Sequence, residues 1–371
     1  MSPGPLVAIL GGYGAVGSVA ARCLAAESGV RLRVGGRDPG AAARTAASLP
    51  GGAEAMAVDA ADEGALARFA AGCAVLLNCA GPAYELAGRP RAAAAAAGAA
   101  YVDVMDGSGP GPGPDAERTA VLSAGLSPGL SGMLPRLLAD GLARPVRFSG
   151  GYAWLGTFTR TGALDYLLSL ERDFGTPLAR WRSGRVVRDR GERVQAVAGA
   201  PRPITVYPYM PEELVRQART LGLAEAEWVN GFDGRHLLDT LSRVRARPDG
   251  EPGEAAEAIV RASALDALGR SPYHLLWGEL DGRDAAGVLI RRSVLIRGED
   301  GSALTGVVGA VAARETALGR VPDGAHEASQ VLAAASVVEA VRTHLPGTAV
   351  VLSEEPLDGA PLPGPLEEGA L

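Results

Sequence analysis

Short apolar runs alternate with alanine-rich stretches along the first third of the chain. The runs predict five strands, at residues 6–10, 30–34, 55–58, 75–78 and 101–105. The stretches between them predict helices at residues 15–26, at residues 62–71 and up to about residue 98. Residues 107–114 consist of glycine, serine and proline, which predicts a loop ahead of a helix at residues 115–124. Such alternation of strand and helix is typical of a doubly wound parallel sheet.

The pattern changes after about residue 130. Strand-like runs lie at residues 146–154, 186–187, 194–197, 287–297 and 304–313, with helical stretches at residues 163–174, 211–220 and 255–268. The sequence Gly298-Glu299-Asp300-Gly301 suggests a hairpin turn between the last two runs. We therefore expect a second, α+β domain with an open and mostly antiparallel sheet.

These patterns together predict an α/β protein of two domains. A Rossmann-type parallel sheet is expected over residues 1–130, and the α+β domain over residues 131–325. Residues 243–254 carry charge, proline and glycine and predict an exposed linker. The segment 326–350 is expected to return to the first domain as a last helix, at roughly residues 326–344. Residues 354–371 are rich in proline, glycine and acidic residues and are expected to be disordered.

A glycine fingerprint joins the first predicted strand to the first helix. It reads Gly12, Tyr13, Gly14, Ala15, Val16 and Gly17. In this strand–turn–helix setting the first glycine permits a tight turn, the second lets backbone approach a pyrophosphate, and the third lets helix and strand pack closely. The helix amino terminus then directs free N–H groups toward phosphate. The six residues predict a dinucleotide site.

Arg37 decides which dinucleotide we expect. An NAD-preferring site places a carboxylate at the tip of the second strand, about twenty residues after the fingerprint. Here the tip carries two glycines and then Arg37, whose planar guanidinium suits a 2′-phosphate. The sequence therefore predicts NADP(H). The alternative is a solvated Arg37 beside an Asp38 that binds the ribose.

Composition and charge exclude several classes of function. The chain has 371 residues and a net charge of −6, which gives no nucleic-acid footprint. All 36 basic residues are arginine, so a lysine Schiff base or lysine acid is excluded. The three cysteines show no paired spacing, no metal-ligand pattern occurs, and no apolar run is long enough to span a membrane. With the first strand so near Met1, we expect a cytoplasmic protein without a signal peptide.

Several motifs resemble the saccharopine dehydrogenase-like reductases. They are the glycine fingerprint, Asn78-Cys79-Ala80-Gly81-Pro82 after the fourth strand, Tyr101-Val102-Asp103-Val104 in the fifth, and the turn Gly125-Leu126-Ser127-Pro128-Gly129. The resemblance covers about residues 5–135 and reaches the middle of the chain only in outline. It implies an NAD(P)-dependent enzyme whose second domain often dimerises, so we expect a homodimer. Members act on carbon–nitrogen bonds or on conjugated double bonds, and thiazolinyl imine reductases of siderophore assembly are a similar group.

Hydride transfer needs a dry cleft at the carboxyl ends of the parallel strands. Residues at those ends are assigned to the cofactor, namely Asp59, Cys79, Ala80, Gly81 and Pro82. Pro82 would hold a loop against the nicotinamide half of the cofactor, and an ordinary strand-end turn is the alternative. Asp103, inside a strand, is expected to be a structural hydrogen-bonding group.

Reduction of an imine also needs a proton for nitrogen. The candidate donors are Tyr84, Asp106 and His274. The alternative roles are a packing aromatic for Tyr84, a turn former for Asp106 and a structural histidine for His274. Tyr152, Trp154 and Thr157 lie in a glycine-flanked aromatic segment that would floor a pocket for a flat substrate, or would pack in the core.

The function predicted is an NADPH-dependent imine reductase of secondary metabolism. Its substrate would be a thiazoline or another cyclic imine, free or bound to a carrier protein. An enoyl reductase on the same scaffold and a non-catalytic nucleotide-binding protein are the alternatives.

Overall fold

Two β-sheets organise the protein. The computed structural model describes residues 4–27, 29–82, 86, 88–105, 118–169, 175–189, 191–246 and 251–356. The helices in chain order are α1 Ala15–Ala26, α2 Pro39–Ser48, α3 Glu63–Ala70, α4 Gly88–Ala96, α5 Leu130–Ala139, α6 Arg160–Ser169, α7 Glu212–Thr220, α8 Arg235–Arg245, α9 Pro252–Ala267, α10 Gly301–Ala317, α11 Ala328–Val331 and α12 Ala334–His344. The strands are β1 Leu6–Leu10, β2 Arg31–Gly36, β3 Glu54–Ala57, β4 Val75–Asn78, β5 Ala100–Asp103, β6 Ala120–Leu122, β7 Arg144–Leu155, β8 Gly175–Pro177, β9 Ala179–Arg182, β10 Arg185–Arg188, β11 Arg193–Gln195, β12 Ile204–Pro211, β13 Glu225–Phe232, β14 Tyr273–Arg283, β15 Leu289–Gly298, β16 Ala325–Glu327 and β17 Ala349–Pro356.

The first sheet is the predicted doubly wound Rossmann sheet. Its seven strands run in the order β16-β6-β5-β4-β1-β2-β3, and every neighbouring pair is parallel. Strands β1 and β4 are buried along their whole length, as expected for strands covered by helices on both faces. The five strands predicted from the first third of the chain are all present.

The sheet gains two strands that the sequence pattern did not predict. Residues 120–122 form β6, so the helix expected at residues 115–124 is wrong for this segment, and residues 115–117 lie outside those described. Strand β16 then joins β6 from more than two hundred residues away. The prediction of one helix beginning near residue 326 is therefore wrong at its start, because this segment is a strand followed by the short α11 and by α12.

Helix α10 replaces the strand expected at residues 304–313. The side chain of Asp300 accepts a hydrogen bond from the Ser302 backbone N–H and caps this helix, so the hairpin expected at residues 298–301 is also wrong. The helix packs against α1 and the first sheet. A Cβ at Gly306 would lie 2.7 Å from the Val16 carbonyl oxygen, so this close approach needs glycine. The valines between the small residues of this helix produce the apolar run that resembles a strand.

The second sheet has ten strands and is mostly antiparallel, as predicted. Strands β14 and β15 form a long antiparallel ribbon between β7 and β17, and β7 pairs with β13 in parallel. Alternate residues of β12 are buried, which is the pattern of a strand with two different faces. Strand β17 continues to Pro356, so the disorder expected from residue 354 does not hold for its first three residues, and residues 357–371 lie outside those described.

The expected linker at residues 243–254 is shorter than predicted. Helix α8 continues to Arg245 and α9 begins at Pro252, with residues 247–250 outside the described part. Within the residues that the structure describes, no helix combines the length and apolarity needed to cross a membrane.

Candidate functional site

A cavity of about 1550 Å³ runs along the carboxyl edge of the Rossmann sheet. Residues at or just beyond the ends of all seven strands line it, from Asp59 at one end through the glycine fingerprint to Glu327 at the other. The second sheet forms the opposite wall. The volume exceeds the roughly 300–1,000 Å³ of ordinary ligand pockets, so it offers room for a dinucleotide together with a substrate.

The glycine fingerprint has the geometry that a pyrophosphate requires. The backbone N–H of Gly14 donates to the Gly11 carbonyl at 2.9 Å, and helix α1 begins directly afterwards. Tyr13, Gly14, Ala15 and Val16 line the cavity, whereas Gly12 and Gly17 lie behind the turn. A Cβ at Gly17 would lie 2.2 Å from the Gly11 carbonyl oxygen, so the turn closes onto the helix only with glycine there. The residues present fit a dinucleotide.

Arg37 stands exposed at the tip of β2 and lines the cavity. Among the described residues its side chain has no hydrogen-bond or ion-pair partner. The neighbouring Asp38 carboxylate caps helix α2 by accepting from the backbone N–H groups of Gly40 at 2.8 Å and Ala41 at 3.1 Å. Tyr13 supports the same corner, since its hydroxyl accepts from the Asp38 backbone N–H. The Arg37 guanidinium is therefore available to a ligand, whereas the Asp38 carboxylate is used to cap helix α2.

Arg37→Ala is expected to weaken NADPH binding by about 10- to 100-fold and to leave NADH binding nearly unchanged. Hydrogen bonds to a charged group contribute about 1.5–3 kcal/mol, and only NADPH carries the 2′-phosphate. Fluorescence titration with each cofactor measures the effect. Arg22→Ala removes the same charge from an exposed position on helix α1 that does not line the cavity, and it is the control. Equal losses for both cofactors in Arg37→Ala would contradict this role.

A buried carboxylate holds the loops after β4 and β5. Asp103 accepts from the Asn78 side-chain amide at 2.8 Å, from the Tyr101 hydroxyl and from the Met105 backbone N–H at 2.8 Å. Asn78 in turn accepts from the Ala80 backbone N–H at 3.1 Å. The structural role expected for Asp103 is confirmed. The network fixes the strand ends next to Cys79, Ala80, Gly81 and Pro82, which all line the cavity.

Aromatic side chains cover the second wall of the cavity. Aromatic residues make up only 5% of the chain. The lining residues from β7, β12 and β13 nevertheless include Tyr152, Trp154, Tyr207, Tyr209, Trp228 and Phe232. Thr157 follows β7 and is exposed on the same wall. Trp154 packs edge-on against Phe158 with ring centroids 4.7 Å apart. The predicted pocket residues thus lie in the cavity, where a flat, apolar group could stack against them.

Tyr152 and His274 form a hydrogen-bonded pair in this wall. The Tyr152 hydroxyl lies 2.6 Å from His274 Nδ1, and the His274 ring stacks on Trp154 with centroids 5.9 Å apart. The register of β7 with β14 places His274 opposite Trp154. Burial lowers the pKa of His274 to about 4 and raises the pKa of Tyr152 above its usual value, so both groups are neutral at neutral pH.

The other two candidate proton donors, Tyr84 and Asp106, lie outside the described residues. Of these three candidate donors, the structure therefore describes His274 alone. It also identifies Tyr152, the hydrogen-bond partner of His274, as a candidate donor. The two lie on different strands and are 122 residues apart, so no local motif could have paired them.

A second polar cluster, missed by the sequence analysis, lies at the far end of the cavity. It consists of Glu213 and Arg216 on helix α7 and Glu327 at the end of β16. Glu213 accepts from the Gly129 backbone N–H at 2.9 Å and from the Ser131 hydroxyl. Burial raises the pKa of Glu213 to about 7. Arg216 pairs with Glu327 at 3.3 Å. Glu213 and Glu327 are only 5% and 3% exposed.

Within the described residues, no set of three histidine, cysteine, aspartate or glutamate side chains is placed to hold a metal ion.

The fold and the cavity define a two-domain dinucleotide-binding protein. Residues 7–122 match the family model described as the saccharopine dehydrogenase NADP binding domain, so the first domain is similar to that type of domain. The cofactor is NADP(H), which confirms the cofactor prediction, and the domain supports an NADP-dependent oxidoreductase. The contact between Arg37 and the 2′-phosphate stays a prediction.

One solved structure extends the likeness to the whole fold. The apo saccharopine dehydrogenase (L-Glu forming) from Saccharomyces cerevisiae is 14% identical with a TM-score of 0.65, over 95% of this chain and 99% of that one. A short chain dehydrogenase/reductase family protein is 23% identical with a TM-score of 0.24, over 28% of this chain and 56% of that one. An actinorhodin polyketide ketoreductase with NADPH is 20% identical with a TM-score of 0.24, over 27% of this chain and 52% of that one. A search of curated proteins finds no match.

Proposed function

We propose that the protein is an NADPH-dependent reductase that delivers a hydride to a carbon–nitrogen double bond. The observation that carries the proposal is the Tyr152–His274 pair in the cavity that also contains the glycine fingerprint and Arg37. NADPH, when bound, supplies the hydride. The resemblance of the first domain to saccharopine dehydrogenases favours carbon–nitrogen chemistry.

Tyr152 and His274 supply the proton that the nitrogen needs. A neutral tyrosine beside a neutral histidine holds two exchangeable protons in one hydrogen-bonded unit. If the Tyr152 hydroxyl donates to Nδ1, the ring carries its own proton on Nε2; if Nδ1–H donates, the hydroxyl hydrogen is free for the substrate. In either arrangement the pair retains a donor for a nitrogen in the cavity.

The substrate we propose is a cyclic imine, such as a thiazoline of a natural-product intermediate in secondary metabolism. Support comes from the aromatic wall around Tyr152 and Trp154, which suits a flat ring, and from a cavity larger than a small substrate alone would need. The same size suits a substrate attached to a carrier protein. The homodimer expected from the resemblance stays a prediction.

A substrate screen tests the proposed reaction. Purified protein is mixed with NADPH and either cyclic imines, including a 2-substituted thiazoline, or enoyl thioesters of similar size. Loss of NADPH absorbance and a product heavier by two hydrogens are expected with imines only. Reduction of the enoyl thioesters in place of the imines would contradict the proposal and favour a C=C reductase. NADPH binding without turnover of either class would favour a non-catalytic protein.

A further inference from the structure

The polar cluster at the far end of the cavity is not balanced in charge. Glu213 and Glu327 face a single guanidinium, that of Arg216, and Glu212 adds a further carboxylate to the same wall. Buried charges normally occur with partners that neutralise them. When both buried carboxylates are ionised, the described neighbours leave an excess of negative charge on a wall that opens into the cavity.

One carboxylate oxygen of the cluster has no partner. Glu327 uses Oε1 toward Arg216, whereas Oε2 is buried and accepts no hydrogen bond from the described residues. Glu213 uses each oxygen once, toward Ser131 and the Gly129 backbone, although a carboxylate has about four acceptor sites. The cluster thus has unfilled acceptor capacity, and an unpaired buried acceptor is costly. A donor from a ligand would fill it.

The cluster also lies on the substrate side of the cavity. Arg37 after β2 and Asp59 beyond β3 lie at one end of the first sheet, and Glu327 on β16 lies at the other end. The fingerprint, which follows β1, lies between Arg37 and the end of β4. With Arg37 on the 2′-phosphate, a dinucleotide extends from that end past the fingerprint toward β4 and β5. Glu327 and Glu213 lie beyond, where a substrate would be held.

We propose that Glu213 and Glu327 form a subsite for a positively charged nitrogen of the substrate. The substrate class is then a basic imine, bound as its iminium ion, or an imine that carries a separate ammonium group. This inference rests on the proposed function in calling the ligand a substrate. The subsite itself is tested by the binding of a cation, without turnover. Ionised carboxylates favour a cation and disfavour an enolate-like anion, so the subsite also distinguishes C=N from C=C reduction.

The raised pKa of Glu213 also fits a subsite for a cation. Burial raises the pKa of Glu213 to about 7, so this carboxyl group can bind a proton near neutrality in the free protein. The groups facing Glu213 are Glu327, which raises this pKa further, and Arg216, Ser131 and the Gly129 N–H, which lower it. A bound cation would replace the proton.

Binding of saturated ring compounds tests the subsite without turnover. The NADPH-loaded protein is titrated calorimetrically with piperidine, which is protonated at neutral pH, and with tetrahydropyran, its uncharged ether counterpart. Piperidinium is expected to bind at least about tenfold more tightly, because hydrogen bonds to charged groups are the stronger class. Glu327→Gln is expected to bring the two affinities within about twofold. Glu192→Gln, which removes a carboxylate from another part of the cavity wall, is expected to keep the preference.

A second variant, expected to change piperidinium affinity in the opposite direction, distinguishes loss of the subsite from a folding defect in Glu327→Gln. Arg216→Gln removes the only guanidinium of the cluster and is expected to strengthen piperidinium binding severalfold. Equal affinity for the two rings in the wild type, or an unchanged preference in Glu327→Gln, would overturn the proposal. If piperidinium is preferred but no imine is reduced, the proposed function fails and the subsite stands; if imines are reduced without that preference, the subsite alone fails.

Discussion

Tyr152→Phe is expected to lower kcat for imine reduction by about 10²- to 10⁴-fold, the usual contribution of a positioned proton donor. The hydroxyl lies 2.6 Å from His274 Nδ1, and phenylalanine removes that hydroxyl alone. The ring that remains keeps its position beside the His274 ring. Melting temperature and NADPH affinity are therefore expected to stay close to those of the wild type, with the loss confined to the chemical step.

Tyr207→Phe is the matched control for this prediction. It removes a hydroxyl from the same aromatic wall, but that hydroxyl is associated with Glu192 and not with His274. Its kcat is expected to change by no more than a few fold. Wild-type turnover in Tyr152→Phe would remove the Tyr152 hydroxyl from the mechanism and leave His274, Tyr84 and Asp106 as the candidate donors.

The pH profile provides a separate check on the pair. Burial lowers the pKa of His274 from its ordinary 6.5 to about 4, so the ring stays neutral until the pH falls to about 4. Protonation then occupies both ring nitrogens, and Nδ1 can no longer accept from the Tyr152 hydroxyl. The limb of the kcat profile that depends on His274 is therefore expected at about pH 4. An imidazole titration near pH 6.5 in the wild type, absent from His274→Gln, would contradict this environment.

The sequence predicted the first sheet well because its signals are local. Strands β1 and β4 are short buried runs that end at glycine or polar residues, and the fingerprint follows β1 directly. Strand β6 has only three residues and owes its place to pairing with β5 and β16. Helix α10 was mistaken for a strand because Val307, Val308 and Val311 resemble strand residues, whereas the decisive contact, with α1, is remote in sequence.

The same distinction separates the two halves of the site. The cofactor half is a contiguous motif plus Arg37, and its chemistry can be predicted from spacing alone. The Tyr152–His274 pair depends on the register of β7 with β14. Glu213 and Glu327 come from a helix beside the second sheet and from the last strand of the first sheet, so only the packing of the two sheets brings them to one wall.

Two glycines of the fingerprint are expected to fail in different ways when replaced by alanine. A Cβ at Gly14 would meet one atom, the Gly11 carbonyl oxygen, at 3.2 Å and would otherwise face the cavity. Gly14→Ala is therefore expected to fold with nearly wild-type stability and to lose NADPH affinity, because the methyl group occupies the space of the pyrophosphate. Titration with NADPH and chemical denaturation separate the two effects.

Gly17→Ala is expected to lose both NADPH binding and stability. Its Cβ would lie 2.2 Å from the Gly11 carbonyl oxygen and 2.8 Å from the Gly12 Cα, and backbone atoms cannot rotate away as a side chain can. Relief requires the turn to separate from helix α1, which we expect to lower the free energy of unfolding by about 1–3 kcal/mol, as other overpacked sites do. The same movement displaces the N–H groups that would bind phosphate. Gly347→Ala, where a Cβ meets no atom within 4 Å, is the control for the substitution itself. NADPH binding by Gly17→Ala at wild-type affinity would show that the fingerprint tolerates a side chain at this contact, and with it that the turn does not set the cofactor site.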